Sequence, residues 1–169
     1  LYWLSLPDNS QSPLASPTRC ETGGGCIDPQ ISPDGARIAY LQNNSLYVYD
    51  LASATARRMC GPQEKEEHVT WGLADFAAAE ELERTRGYWW RSDSQGLLVQ
   101  RTDESAVEIA WISDPANPRN SARAHKYPFA GTANAHVQLF DVDLNGNARE
   151  INWDHEKFPY LGTVTTSGS

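Results

Sequence analysis

The chain has 169 residues, a formal net charge of −8 and a pI near 4.9, with 40% hydrophobic and 21% charged residues. That balance belongs to a globular chain long enough to bury a real core, not to a disordered one. Its acidity argues against a nucleic-acid partner, which wants a basic surface, and no apolar run reaches the length of a membrane span, so no membrane partner is expected. There is no signal-peptide pattern, and Leu1 stands where a Met would begin a complete chain, which reads as an excerpt of a longer one.

Three cysteines are present, Cys20, Cys26 and Cys60, with Cys20 and Cys26 on either side of a triple glycine. Their spacing is not that of a zinc site. The odd count favours a reducing, cytoplasmic compartment, and all three read as structural or incidental.

In chain order, residues 1–6 (LYWLSL) read as a strand closed by the turn chemistry of Pro7, Asp8 and Asn9. Residues 8–28 carry Pro13, Pro17 and Gly23 to Gly25 and read as a surface loop. Ser32-Pro33-Asp34-Gly35 is a turn: Pro presets φ, Asp caps local amides and Gly takes positive φ. Arg37 to Leu41 follows as a strand. Asn43-Asn44 is a tight turn, since both residues tolerate the left-handed backbone. Ser45 to Leu51 alternates with period two, Leu46 and Val48 against Tyr47 and Tyr49. Thr55 to Met59 returns, so the segment is an antiparallel meander. Residues 61–68 (GPQEKEEH) form a charged loop whose Glu66 and Glu67 read as solvent-facing.

The alternation breaks once. After a short strand at Val69 to Trp71, Asp75 to Arg86 reads as a helix, built on Ala77, Ala78, Ala79 and the acidic run after them. Asp75 suits its first turn, Arg84 and Arg86 its last, and Gly87 stops it. The helix carries adjacent carboxylates, Glu80 and Glu81, and presents them to a positively charged ligand. Tyr88 to Trp90 resumes the β pattern and Arg91 to Ser94 turns into Leu97 to Arg101. Trp89 and Trp90 read as core or inter-blade contacts. Glu108 to Ile112 is a strand and Asp114 to Asn120 a loop. Ala135 to Leu144 ends in the hairpin signal Asn145-Gly146, Ala148 to Trp153 returns, and Tyr160 to Val164 is a last strand.

Two echoes run through this order. Asp34 precedes Ile38 as Asp93 precedes Leu97, an interval of 59 residues (93 − 34). VQLFDVDLNGNAREI echoes LYVYDLASATARRM. Repeated meanders imply an all-β fold, a partial β-propeller of about three antiparallel four-stranded blades at ~40–50 residues each, with one short inserted helix at about 73–86. A sandwich is the alternative that strand count permits. Three blades do not close a ring, so residues 1–169 read as part of a propeller domain whose exposed blade edges invite self-association.

The stretch WGLADFAAAEELERTRGYWWRSDSQGLLV resembles the propeller of the dipeptidyl peptidase IV branch of the prolyl oligopeptidase (S9) serine peptidase family. The flanks ISPDGARIAYLQNNSLYVYDL and YPFAGTANAHVQLFDVDL agree, and the wording looks most like bacterial members. The resemblance implies a propeller over an α/β-hydrolase domain with a Ser-Asp-His triad, removing dipeptides from free N-termini. It also implies that Glu80 and Glu81 bind the substrate's α-ammonium, and that an arginine assisting them precedes Leu1. This chain departs from the pattern at Arg91-Ser92-Asp93-Ser94, which lacks the usual proline and glycine, and at residues 18–28, which have no counterpart.

By residue type alone, a Glu pair on a charged helix is a solvated face; the resemblance is what raises Glu80 and Glu81 to substrate-binding candidates. Asp141, Asp143, Asn145 and Gly146 match the start of a calcium loop, but the twelfth position is Asn152, so they read as a hairpin. His68, His125, His136 and His155 lack ligand spacing, and no metal or cofactor is expected. No G-x-S-x-G elbow is present, so no catalytic residue is assigned and the chain alone should not hydrolyse peptides. The leading reading is a propeller segment of a serine dipeptidyl peptidase that binds the N-terminus of a peptide substrate and gates access to a C-terminal hydrolase domain absent from this chain. The alternative is a non-catalytic scaffold for protein–protein interaction. A third, an independent calcium-binding β-protein, requires a metal-dependent melting shift that is not expected.

Overall fold

The computed structural model describes residues 25–166 and the backbone of two short strands before them. Those two, β1 (Tyr2–Ser5) and β2 (Ser10–Pro13), pair as an antiparallel hairpin. β2 lies inside the stretch 8–28 expected to be loop, so that expectation is corrected there. Cys20 lies outside the described residues.

The first sheet is a four-stranded meander: β3 (Ile27–Ile31), β4 (Arg37–Gln42), β5 (Ser45–Asp50) and β6 (Thr55–Cys60), each paired antiparallel to the next. The Asn43-Asn44 turn closes β4 onto β5 with both residues at positive φ, 49° and 58°, as the sequence predicts.

The second sheet has four rows built from five strands. β7 (Val69–Trp71) and β8 (Tyr88–Trp90) both pair with β9 (Gly96–Asp103), end to end: Val69 to Trp71 face Asp103 to Arg101, and Tyr88 to Trp90 face Val99 to Leu97. β7 and β8 are thus one row interrupted by an excursion over residues 72–87. β9 pairs with β12 (His136–Asp143), and β12 with β13 (Ala148–Ile151). Between β9 and β12 a second excursion carries the hairpin of β10 (Ile109–Ile112) and β11 (Arg123–Lys126). β11 was not expected; its residues, Arg-Ala-His-Lys, are mostly exposed and give no apolar alternation to read. The strand expected at Tyr160 to Val164 is not formed. Those residues carry a bend at Tyr160 and no strand after it, and the chain is held where the hydroxyl of Thr166 donates to the Trp90 carbonyl at 3.2 Å.

The 59-residue echo is a repeat of hydrogen bonds as well as letters. Ser32 N–H donates to Arg37 O and Gly35 N–H to Ser32 O; the equivalents, Arg91 to Gly96 and Ser94 to Arg91, have the same connectivity, all at 2.9–3.0 Å. Asp34 accepts from Ala36 N–H as Asp93 accepts from Gln95 N–H. Ser94, where the first repeat has Gly35, takes the same left-handed φ, 57° against 72°. Its hydroxyl accepts the N–H of Asp34 at 3.0 Å, so one repeat's turn is fastened to the other's.

The two sheets pack face to face. Ala39, Leu41, Leu46, Val48 and Met59 from the first meet Tyr88, Trp90, Leu97, Val99 and Val142 from the second in one buried cluster. Polar groups cross the seam. Trp90 Nε1 donates to Gln30 O at 3.1 Å, and the Tyr88 hydroxyl to Ala39 O at 3.1 Å and to Asp28 O. Each sheet is a sequential up-and-down meander with no strand crossing to the other, which is propeller-blade topology and not the Greek key of a sandwich.

Candidate functional site

The excursion over residues 72–87 leaves and rejoins its row at one residue of β9. Gln100 accepts from Gly72 N–H and donates its own N–H to Gly87 O, both at 2.8 Å, and Leu73 bridges to Arg86 just beyond. Only glycine fits this neck. A Cβ on Gly87 would stand 2.5 Å from the Leu73 carbonyl carbon and 2.6 Å from Gly72 O, and Gly72 has φ +86°.

Beyond the neck sits the helix, α1 (Phe76–Glu81), shorter than the 73–86 expected from the sequence. Asp75 is its N-cap, not a first-turn residue: its carboxylate accepts the Ala78 N–H at 3.2 Å. The C-terminal end comes early because Glu83 turns left-handed, φ 52°, which lets Arg84 N–H reach Ala78 O at 3.0 Å. Arg84 and Arg86 therefore lie outside the helix, and Gly87 closes the neck instead of stopping the helix.

The buried Asp75 carboxylate is the hub of the excursion. Its Oδ1 accepts from Gln100 Nε2 at 3.1 Å and lies 3.7 Å from Arg84 Nη2. Gln100 Nε2 also donates to Thr102 Oγ1, whose hydroxyl donates to Leu73 O. Arg84 spans the other side, donating to Arg86 O and Leu161 O and resting over the Trp89 ring, 5.7 Å from its centroid. Burial lowers the Arg84 guanidinium from its ordinary value and Asp75 pulls it back up. The sequence marked neither Gln100 nor Arg84 as part of this site. A glutamine in the middle of an apolar strand, with an Asp N-cap three residues before a helical Ala, was the available signal.

Glu80 and Glu81 are the last two residues of α1, and both are exposed. Among the described residues neither carboxylate has an ion-pair or hydrogen-bond partner. Neighbouring helical residues point ~100° apart, so a ligand taken by both would have to sit over that end of α1 or between the two long side chains. The unpaired carbonyls of that end add negative potential. Glu81 forms a wall of a pocket of ≈ 340 Å³ with Phe76, Leu82, Pro128, Asn134 and Tyr160. The other acidic pair behaves differently from expectation: Glu67 is exposed, but Glu66 is bound to Arg101 at 2.7 Å and caps Gln63 N–H, so it is structural.

The tryptophans also divide. Trp90 is core, as expected, whereas Trp89 is half-buried and faces a groove with Arg84 and Arg86. Asp143 is consumed by its hairpin, accepting from Asn145 and Asn147 N–H, and Asp141 pairs with Arg91. His155 lies against Trp153 and His136. Among the described residues no group of three or more His, Cys, Asp or Glu is placed to hold a metal ion, and no helix is long and apolar enough to cross a membrane.

The profile of the dipeptidyl peptidase IV N-terminal region matches residues 2–166. The chain belongs to that family. Human dipeptidyl peptidase 8 is 31% identical over 143 residues, covering 75% of this chain and 16% of the relative. The rat protein named inactive dipeptidyl peptidase 10 is 32% identical over 117 residues, covering 66% of the chain and 14% of the relative. The structure of Porphyromonas gingivalis dipeptidyl peptidase 4 superposes with a TM-score of 0.77 at 24% identity, over 90% of this chain and 21% of that one. The chain thus spans about a seventh to a fifth of the length of these members of the dipeptidyl peptidase IV family.

Proposed function

We propose that this chain is the part of a serine-type dipeptidyl peptidase that recognises the free N-terminus of a peptide, through Glu80 and Glu81, beside a C-terminal hydrolase domain that lies outside residues 1–169. The observation that carries the reading is the placement of the two glutamates: exposed, without a cationic partner among the described residues, and at the end of a helix held by a buried Asp75–Gln100–Arg84 hub. A solvated acidic face needs no such anchorage.

The chemistry fits an α-ammonium. Its three N–H donors meet carboxylates that only accept, giving charge-assisted hydrogen bonds. At ~4 Å and an effective dielectric near 20, each pair contributes about 4 kcal/mol before desolvation. A clamp at the N-terminus fixes the distance to the bond that is cut, so an enzyme with this clamp releases dipeptides, and the propeller gates the approach. The full-length polypeptide, given an Ala-Pro chromogenic substrate with a free amine and its N-acetylated twin, should prefer the free amine. Equal cleavage of both would refute the clamp.

A second reading, a non-catalytic scaffold for protein–protein interaction, has one specific support: a relative at 32% identity is named inactive. Complete lack of turnover by the full-length polypeptide, with the fold intact, would favour it.

A further inference from the structure

The two excursions of the second sheet meet in a file of three aromatic rings. Phe76, the first residue of α1, lies 5.0 Å from Tyr127, edge to face at 63°, and Tyr127 lies 4.9 Å from Phe129. Tyr127 immediately follows β11 and its base is tied down: its N–H donates to Glu108 O at 2.9 Å, and the neighbouring Lys126 Nζ donates to Val107 O at 2.7 Å. Phe76, Tyr127 and Phe129 are 36%, 41% and 43% exposed, and none belongs to the buried core cluster. Asp75, Phe76 and Ala77 line, together with Glu104, Val107 and Pro128, a gap of only ≈ 10 Å³. The hairpin excursion is therefore packed against the flank of the helix that carries the glutamates.

A helix of six residues does not support itself. Asp75 holds its start and Arg84 secures the chain beyond its end. Those two holds act at the ends of α1, and the Phe76–Tyr127 contact adds a third point from the second excursion, which resists rolling. Rolling would move Glu81 out of the pocket it lines with Pro128 and Asn134 and turn the adjacent Glu80 with it, and small misplacements of a positioning group are costly in a recognition site.

We propose that Tyr127 is a positioning residue for recognition of the peptide N-terminus, acting through Phe76 on the orientation of the Glu80 and Glu81 carboxylates. The proposal rests on the Glu-pair reading above. The test uses the full-length polypeptide and the ratio of kcat/KM for the free-amine Ala-Pro substrate to that for its N-acetylated twin. Tyr127→Ala should lower this ratio about two- to ten-fold, the range that an edge-to-face aromatic pair supplies, with the change in KM. Tyr127→Phe, which keeps the ring, should restore it. A residue that only stabilises the fold would change yield or Tm and leave the ratio alone. Glu81→Gln is measured alongside. If Glu81→Gln lowers the ratio and Tyr127→Ala does not, the brace is refuted and the clamp stands. If Glu81→Gln leaves the ratio unchanged, the clamp itself fails and the brace with it. Should Tyr127→Ala not fold, Phe76→Leu breaks the same ring contact with bulk retained, and its ratio decides.

Discussion

The side-chain amide of Gln100 donates to the buried carboxylate of Asp75 across 3.1 Å, tying the middle of a blade strand to the cap of the helix that bears Glu80 and Glu81. The same glutamine closes the neck of the excursion with its backbone. Asp75→Ala removes the cap and leaves Gln100 and Arg84 buried without their acceptor, so it should cost about 2–3 kcal/mol in stability. Asp75→Asn keeps an oxygen for Ala78 N–H and should lose less. Urea denaturation of the two variants checks the order; equal losses would show that the charge, not the cap, dominates.

The neck makes a sharper comparison. At Gly72 an added Cβ meets the flexible end of Leu41 at 2.5 Å, on a φ of +86°; at Gly87 it meets the backbone of Leu73 and Gly72. Side chains yield and backbone does not. Gly87→Ala should therefore be the worse substitution, costing about 2–4 kcal/mol, with Gly72→Ala closer to the lower figure. Thermal melting of the pair is the measurement.

Glu83, just past the end of α1, and Ser94, in the turn before β9, both take left-handed φ, 52° and 57°. Glu83→Gly should stabilise by about 0.5–1 kcal/mol, because glycine removes the strain at the end of α1. Ser94→Gly should not gain, since it deletes the hydroxyl that accepts Asp34 N–H across the blade seam. Opposite signs of ΔTm are the expected result.

The pH dependence has two components of opposite sign. Hydrogen bonds hold Asp34, Asp93 and Asp143 below the ordinary aspartate value, from Ser32, from Gln95 and from Asn147 respectively. Their contribution is full above the unfolded pKa near 3.9 and is lost as pH falls through the lower folded values. Glu104 is shifted up, by burial first, so the folded state prefers it protonated and it opposes folding once pH exceeds the unfolded glutamate value. Glu104→Gln should raise Tm by about 1–3 °C at pH 7, and the gain should vanish near pH 4. A gain that persists at acid pH would contradict the assignment.

Cys60 should be unreactive. Burial pushes its thiol up to about 12, against a smaller lowering by Arg58. At pH 8 almost none is thiolate, and thiol titration of the native protein should find this cysteine only after denaturation.

Much of the framework was legible because short-range chemistry wrote it: Asn43-Asn44 and Asn145-Gly146 each fix a hairpin locally, and the Asp34 turn leads into β4, although β3 on its other side was not expected. The interrupted row was not legible. Nothing local says that Trp71 and Tyr88 continue one strand, since only their shared partner β9 joins them. The expected helix is longer because Leu82, Glu83, Arg84 and Arg86 have good helical propensity, and tertiary contacts of Arg84 with Asp75 and Leu161 O override it. β11 was missed because an exposed strand need not alternate, and Glu66 because its partner Arg101 is far along the chain. The candidate site was named from its resemblance to a family; its supports, Gln100, Arg84 and the ring file, emerged only from the fold.

Whether Glu80 and Glu81 hold the peptide N-terminus is decided by kinetics of the full-length polypeptide on the free-amine Ala-Pro substrate and its N-acetylated twin, with and without Glu80→Ala and Glu81→Ala. A marked preference for the free amine is expected, which both substitutions abolish, chiefly through KM. Cleavage blind to the amine, or variants that retain the preference, would show that the two glutamates are a solvated face and would contradict the clamp.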